Sequence, residues 1–440
     1  MTFPASVIKY INKYSAGGWK LEPENSKLYN NIIVIPAIDE EKNLPILLDS
    51  ILSNDKKYFG STLLVFVVNN LKNSSEEAKS NNKRAINFLR EIISGNANSE
   101  TAKNIYASGI NIGLVDCSSE GYELPEKEGG VGLARKTGMD IALTKFDYKN
   151  GNPNVLICLD ADCIVSRDYL SSIVEAFQKK ETHAAYVQYE HKLPEREPDR
   201  SAIICYELFL RYYLLGLKYA GSPFAFPTIG STMVCDCETY IKIGGMNKKK
   251  AAEDFYFMEK LGKITDIKKI ESAKVFPSSR GSWRVPFGTG QRVNRFFAGT
   301  HKEYLLYDPE SFEILKKWLD LFYSDENYTA QEYLNRASAV SESLHKFLNE
   351  NLFAESWNKI IDSSKSEAQI EKQKTLWFDG FKTLKLIHFL RDDKYPQINM
   401  FGALDGLLSK FERSIERNNE SEIPPMEIQE QYLNLLRQIT

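Results

Sequence analysis

The first part of the chain repeats a pattern in which a short apolar run precedes a longer amphipathic segment. The run NIIVIP, from Asn31 to Pro36, is rich in β-branched residues and ends at proline, which predicts a fully buried strand. The next segment, DEEKNLPILLDSIL, begins with acids and continues with apolar residues at helical spacing, which predicts a helix. TLLVFVVNN and SEEAKSNNKRAINFLREII repeat this pair of patterns. The alternation predicts an α/β fold, with a mostly parallel sheet flanked by helices.

A carboxylate pair follows a later apolar run, NVLICLD. Open α/β sheets bind their ligands at the carboxyl ends of parallel strands, where Asp160 and Asp162 stand. If the backbone stays extended there, the two side chains point to the same side. Carboxylates so close repel each other, and a divalent cation with oxygen ligands relieves the repulsion. The alternative is a pair of acids that caps the following helix, because short Asp-x-Asp patterns also arise by chance.

The pattern changes after about Tyr304, where acidic and aromatic helical segments replace the β-branched runs. An α-helical C-terminal module is therefore expected. The predicted division is an N-terminal extension at 1–28, an α/β domain at 29–305 and the helical module at 306–440.

Composition limits the classes of partner and the compartment. The chain has 440 residues, of which 42% are hydrophobic, and a formal net charge of -3, so nucleic-acid binding is not expected. Its 6 cysteines lack paired Cys-x-x-Cys spacing, which predicts reduced core residues of a cytoplasmic protein. No apolar stretch is long enough to span a membrane. The aromatic segment YELFLRYYLLGLKYAGSPFAFP leaves open a peripheral contact with a lipid surface.

Five segments in order carry a resemblance to a known family. They are VIPAIDEEKNL, GLARKTGMDIAL, LDADC, GSTMVCDCETYIKIGGM and AAEDFYFMEKL. Together they resemble the family 2 glycosyltransferases of the GT-A fold, over approximately residues 31 to 262. Each segment is a weak signal alone, whereas five in the family's order are specific. The resemblance implies a GT-A domain that transfers a sugar from a nucleotide-diphosphate sugar to an acceptor hydroxyl.

The resemblance also implies a donor-binding set, which comprises Pro36, Ala37, Asp39, Glu40, Asn69, Arg135 and Asp160. A carboxylate after the first strand accepts hydrogen bonds from uracil or ribose hydroxyls, although acids also suit the start of a helix. Asn69 stands where the family usually has an aspartate that contacts the base, so the nucleotide base is left open. Arg135 would meet the diphosphate, and Lys136 replaces an asparagine of the family. A dinucleotide-binding loop is the rival interpretation of GGVGLARKTG, but Arg135 stands at its third glycine.

The later motifs imply catalytic and acceptor residues. Asp254 of the Glu253-Asp254 pair corresponds to the family's catalytic base, which takes a proton from the acceptor in an inverting transfer. A helix cap is the simpler interpretation of the same pair. Arg280, Trp283 and Arg284 are expected to contact phosphate or the acceptor together with Glu253, with a charged surface loop as the alternative.

The implied cofactor is a divalent cation, Mn²⁺ or Mg²⁺, held by Asp160 and Asp162. Some GT-A enzymes take a further metal ligand from a histidine after the catalytic helix, which nominates His301. A lone histidine is more often structural. Two other functions stay open at this stage. One is a nucleotidyltransferase, and the other is a catalytically degenerate protein that binds nucleotide sugars or serves as a scaffold, since Asn69 and Lys136 depart from the family pattern.

Overall fold

The structure is a computed structural model that describes residues 3–96, 98–281, 288–417 and 421–440. The strands are β1 Leu21–Glu22, β2 Asn31–Ala37, β3 Thr62–Asn69, β4 Asn111–Cys117, β5 Val155–Cys158, β6 Ile164–Val165, β7 Ala184–Tyr189, β8 Met233–Asp236, β9 Ile267–Phe276, β10 Leu305–Leu306 and β11 Ile398–Asn399. The helices are α1 Ala5–Tyr14, α2 Leu44–Leu52, α3 Glu76–Ser94, α4 Glu100–Ala107, α5 Val131–Ala142, α6 Tyr169–Phe177, α7 Glu197–Tyr219, α8 Cys237–Lys242, α9 Glu253–Gly262, α10 Thr289–Ala298, α11 Pro309–Phe322, α12 Ala330–Val340, α13 Glu342–Glu350, α14 Phe353–Ser363, α15 Glu367–Trp377, α16 Gly380–Asp393, α17 Met400–Ser409 and α18 Met426–Ile439.

These elements form two compact units. The first consists of Met1–Lys192 and Thr228–Gln291, and the second of Leu193–Pro227 and Arg292–Thr440. These bounds differ from the domains expected from the sequence. The difference arises because α7 interrupts the α/β part of the sequence, yet its apolar residues belong to the core of the helical unit.

The first unit contains a 9-stranded sheet in the order β1-β4-β3-β2-β5-β8-β7-β9-β6. The strands β4, β3, β2 and β5 pair in parallel, as the alternation of strands and helices predicts. Their carboxyl ends therefore meet at one edge of the sheet. The rest is mixed, because β8 runs antiparallel to both β5 and β7, and β6 runs antiparallel to β9. The α/β fold class expected from the sequence is confirmed.

The core of this unit explains the composition of its strands. Every residue of β2 and β3 is buried. Pro36 is tolerated within β2 because the pairing with β5 ends at Val34, before the missing proline N–H would be needed. A side chain at Gly138 would place its Cβ 2.4 Å from a methyl carbon of Val34, so glycine lets α5 pack directly against the sheet.

The second unit is built from helices around an aromatic core. Trp318 and Phe322 stack with ring centroids 4.9 Å apart, and Tyr333 packs edge-on against both. Helix α7 contributes Tyr212, whose hydroxyl donates a hydrogen bond of 2.6 Å to the carbonyl of Tyr307. All six cysteines of the chain are free and buried, as the sequence predicts. Within the described parts of the chain, every helix is too short or too polar to cross a membrane.

Candidate active site

Asp160 and Asp162 lie beyond the end of β5, at the edge where the parallel strands finish. The backbone does not stay extended there, because the N–H of Cys163 donates to the carbonyl of Asp160 and closes a turn. The two carboxylates consequently contact different partners. Asp160 pairs with Arg135, whereas Asp162 lies 3.3 Å from Arg280. Their side chains remain 34% and 23% exposed, so solvent and ligands reach both.

Arg135 joins the end of β5 to the start of α9. One terminal nitrogen of its guanidinium contacts Asp160, and the other contacts Glu253. Its side chain is only 3% exposed. Burial opposes the charge, but the attraction to Asp160 and Glu253 overcomes it and raises the pKa of Arg135 above its usual range. The guanidinium is thus a charged bridge between carboxylates, and its predicted contact with a diphosphate stays a prediction.

Glu253 and Asp254 begin helix α9, where the positive end of the helix favours carboxylates. Burial raises the pKa of Glu253 to about 7, although Arg135 opposes the shift. Burial also raises the pKa of Asp254 above its ordinary value. The preceding Ala252 adopts a positive φ of 58°, which is uncommon for a residue with a side chain. Asp254 is therefore a carboxylate with raised proton affinity, held at a constrained turn.

A glycine in the motif before Arg135 permits close approach of another backbone segment. A Cβ at Gly132 would lie 2.2 Å from the carbonyl oxygen of Lys249. The segment that leads into α9 therefore packs against the start of α5 with no room for a side chain. Because the GGVGLARK segment packs so closely against the residues before α9, Arg135 lies beside Glu253.

Lys136 follows Arg135 and enters a buried polar cluster. Its ammonium lies 3.0 Å from the carboxylate of Asp140 and 3.0 Å from the hydroxyl of Tyr10. Asp140 also accepts hydrogen bonds from the hydroxyl groups of Tyr10 and Tyr240, at 2.8 Å and 2.7 Å, and from the backbone N–H of Ala16. Lys136, which departs from the family's asparagine, thus connects α1 to α5. Its role here is structural.

The donor-binding residues predicted at the ends of β2 and β3 are brought together by an asparagine that the sequence patterns did not single out. Asp39 has a positive φ of 57°, and its N–H donates to Oδ1 of Asn82 on α3. The amide of Asn82 in turn donates to the carbonyl of Asn69 at 3.0 Å. The amide of Asn69 donates to the carbonyl of Ala37 at 3.2 Å. A buried polar residue on a helix that faces strand ends is the signal that could have identified Asn82.

Glu40 is buried beside the same strand ends, and its carboxylate accepts hydrogen bonds from Asn43 and Arg280. Arg280 is thus placed with the predicted site. Trp283 and Arg284 lie outside the described residues. His301 belongs to the second unit, where it is exposed and its Nδ1 lies 2.9 Å from the hydroxyl of Thr300.

The donor chemistry at Asp160 and Asp162 fits a hard divalent cation, because both groups offer accessible carboxylate oxygens. Among the residues that the structure describes, no group of three or more His, Cys, Asp or Glu side chains is arranged to hold a metal. Asp160 and Asp162 are the residues that would hold such a cation. Asp162 already pairs with the guanidinium of Arg280 at 3.3 Å.

Comparison with a protein family gives the class of this site. Residues 119–234 match the family described as Glycosyl transferase family 2. This segment of the chain resembles a family 2 glycosyltransferase domain. The match includes Arg135, Asp160 and Asp162, and it ends within β8. The family resemblance and the enzyme class expected from the motifs, a glycosyltransferase, are thus confirmed.

Solved glycosyltransferase structures are similar over most of the chain, at low identity. S. aureus TarS 1-349 in complex with UDP-GlcNAc is 12% identical with a TM-score of 0.40, and the match covers 79% of this chain and 90% of that one. The mannosyltransferase PcManGT from Pyrobaculum calidifontis, in complex with GDP-Man and Mn²⁺, is 12% identical with a TM-score of 0.37, covering 88% and 92%. Similarity of this degree carries no argument about substrate. No curated protein is similar enough in sequence to be matched with this chain.

Proposed function

We propose that this family 2 glycosyltransferase requires a divalent cation, uses a nucleotide-diphosphate sugar and inverts the anomeric centre of the transferred sugar. The observation that supports this most directly is the bridge formed by Arg135. It contacts Asp160 at the strand end and Glu253 beside Asp254, so the carboxylates expected to hold the donor and the expected base belong to one connected site.

Asp254 is the proposed general base. Its carboxylate takes the proton of the acceptor hydroxyl while the hydroxyl oxygen forms a bond to the anomeric carbon. The bond from that carbon to the diphosphate oxygen breaks, and the diphosphate leaves with the electron pair. Burial raises the proton affinity of Asp254, which suits it to accept the proton. Attack opposite the leaving group inverts the anomeric centre.

The leaving diphosphate carries the negative charge that the site must stabilise. Mn²⁺ or Mg²⁺ bound by Asp160 and Asp162 would neutralise part of that charge. Glu40, Asp39 and Asn69 are proposed to position the nucleoside. The amide nitrogen of Asn69 donates hydrogen bonds to the backbone carbonyls of Ala37 and Val67, which fixes the orientation of this side chain at the strand ends.

The test is turnover of mass-tagged UDP and GDP sugars with a panel of hydroxyl acceptors, with Mn²⁺ and with a chelator. We expect a glycosylated product and a free nucleoside diphosphate only with the cation, and the product NMR spectrum should show an inverted anomeric centre. Retention would exclude the proposed role of Asp254. Cation-dependent nucleotide binding without any transfer would support a binding or scaffold protein, the alternative left open by Asn69 and Lys136.

A further inference from the structure

One guanidinium is shared between carboxylates that follow neighbouring strands. Nη2 of Arg280 lies 2.5 Å from Oε1 of Glu40 and 3.3 Å from Oδ2 of Asp162. Glu40 follows β2, Asp162 follows β5, and these strands pair in parallel. The positive charge of Arg280 therefore lies beside Asp162, one of the two carboxylates proposed to hold the divalent cation.

The burial and charge of these groups favour a guanidinium of Arg280 that is bound to Glu40 and Asp162 but able to dissociate from them. The side chain of Glu40 is 6% exposed, so its charge is costly without a positive partner. Burial opposes the charge of Arg280, but attraction to Glu40 and Asp162 outweighs it and raises the pKa of Arg280. The Arg280 side chain is nevertheless 41% exposed, in contrast to the enclosed guanidinium of Arg135.

A divalent cation on Asp162 and the guanidinium in its observed position would repel each other. Like charges at short range repel each other, and the repulsion is stronger near a protein surface than in bulk water. Phosphate oxygens are strong acceptors for arginine, because the guanidinium binds them in a forked geometry. The phosphates of the donor therefore offer Arg280 an alternative partner at the moment when the cation occupies Asp162.

We infer, on the basis of the proposed function, that Arg280 is an internal counterion that competes with the divalent cation for Asp162 and transfers to the donor phosphates when both ligands bind. The cation then binds weakly without a nucleotide and tightly with one. The site acquires its cation together with the donor, and Arg280 couples the two binding events.

The experiment measures Mn²⁺ affinity by electron paramagnetic resonance, in the absence of nucleotide, for the wild type, Arg280→Gln and Arg84→Gln. Arg84 is a matched control, because its guanidinium lies 2.7 Å from the neighbouring Glu41 and its loss changes the net charge equally. We expect Arg280→Gln to bind Mn²⁺ about tenfold more tightly than the wild type, within the range of measured couplings between sites. Arg84→Gln should change the affinity by less than about twofold, as an exposed pair does.

A second titration measures coupling with the nucleotide. Saturating UDP or GDP should raise the Mn²⁺ affinity of the wild type more than that of Arg280→Gln, and Arg280→Lys, which keeps the charge, should resemble the wild type without nucleotide. An Mn²⁺ affinity of Arg280→Gln no higher than that of Arg84→Gln would overturn the inference. The double variant Arg280→Gln/Asp162→Asn separates this outcome from failure of the proposed metal site: it should lose Mn²⁺ binding, and retained binding would show that the cation does not use Asp162.

Discussion

The guanidinium of Arg135 and the carboxylate of Glu253 form a buried ion pair across 118 positions of sequence. Because the same guanidinium contacts Asp160, the end of β5 and the start of α9 are held at a fixed separation. Removal of the arginine would leave two acids without their common partner. The resulting change in the stability of the protein can be measured separately from its catalytic activity.

Replacement of Arg135 by Met should destabilise the protein by about 3–5 kcal/mol, because it leaves the buried carboxylate of Glu253 unpaired. The control is Arg90→Met, which removes an exposed guanidinium 2.8 Å from Glu22 and should cost at most about 1 kcal/mol. Urea unfolding followed by circular dichroism compares the two variants. Equal losses of stability would contradict the bridging role of Arg135.

Replacement of Asp254 by Asn should lower the turnover number by about 10²–10⁴-fold, because the acceptor hydroxyl loses its proton acceptor. Donor binding should change little, since the proposed donor contacts are elsewhere. Asp266→Asn removes a carboxylate that is 88% exposed and serves as the matched control. Steady-state kinetics and nucleotide titration check both expectations. An Asp254→Asn enzyme of unaltered turnover would exclude the assignment of the base.

The rate should depend on pH through Asp254, whose pKa burial raises. A general base acts only when it is ionised, so the rate should fall as the pH falls through this raised pKa. The acidic limb of the kcat profile should accordingly lie above the pKa of a solvated aspartate, about 4. The measurement is kcat at saturating substrates over a pH series. An acidic limb at the pKa of a solvated aspartate would contradict the proposed dependence of the rate on Asp254.

Stability should also depend on pH through Glu253, whose pKa burial raises from 4.5 to about 7. The folded state then holds a proton that the unfolded state releases. This contribution to the free energy of unfolding is complete below pH 4.5 and is lost as the pH rises through about 7. The wild type should therefore lose stability relative to Glu253→Gln over that interval. If the free energies of unfolding of the wild type and of Glu253→Gln changed in parallel with pH, the raised pKa of Glu253 would be excluded.

Replacement of Tyr10 by Phe should destabilise the protein by about 1.5–3 kcal/mol, the range for hydrogen bonds to charged groups. The hydroxyl donates to Asp140 at 2.8 Å and lies 3.0 Å from the ammonium of Lys136. Tyr14→Phe is the matched control on the same helix, since Tyr14 is 44% exposed. Thermal melts of both variants provide the comparison. A similar loss for Tyr14→Phe would argue against the buried cluster as its cause.

Part of this architecture was predictable from local patterns. The apolar runs at β2, β3 and β5 identify buried strands, since the burial of a strand depends on residues within a few positions of one another. The position of Asp160 and Asp162 after such a strand follows for the same reason. The antiparallel insertion of β8 between β5 and β7 was not predicted, because its four residues carry too little periodicity to assign a direction.

The sequence by itself determined that an acidic pair ends a buried strand, that an arginine follows a glycine motif and that an acidic pair begins a later helix. The tertiary structure alone decided the partners of these residues. It paired Asp160 with Arg135 and Asp162 with Arg280, and it buried Lys136 against Asp140 and Tyr10. Most of these pairs join residues far apart in the chain, and Lys136 finds Tyr10 only because α1 packs there. The spacing of apolar residues along an element specifies which of its faces is buried. The packing of whole elements determines which charged residue lies opposite a given side chain.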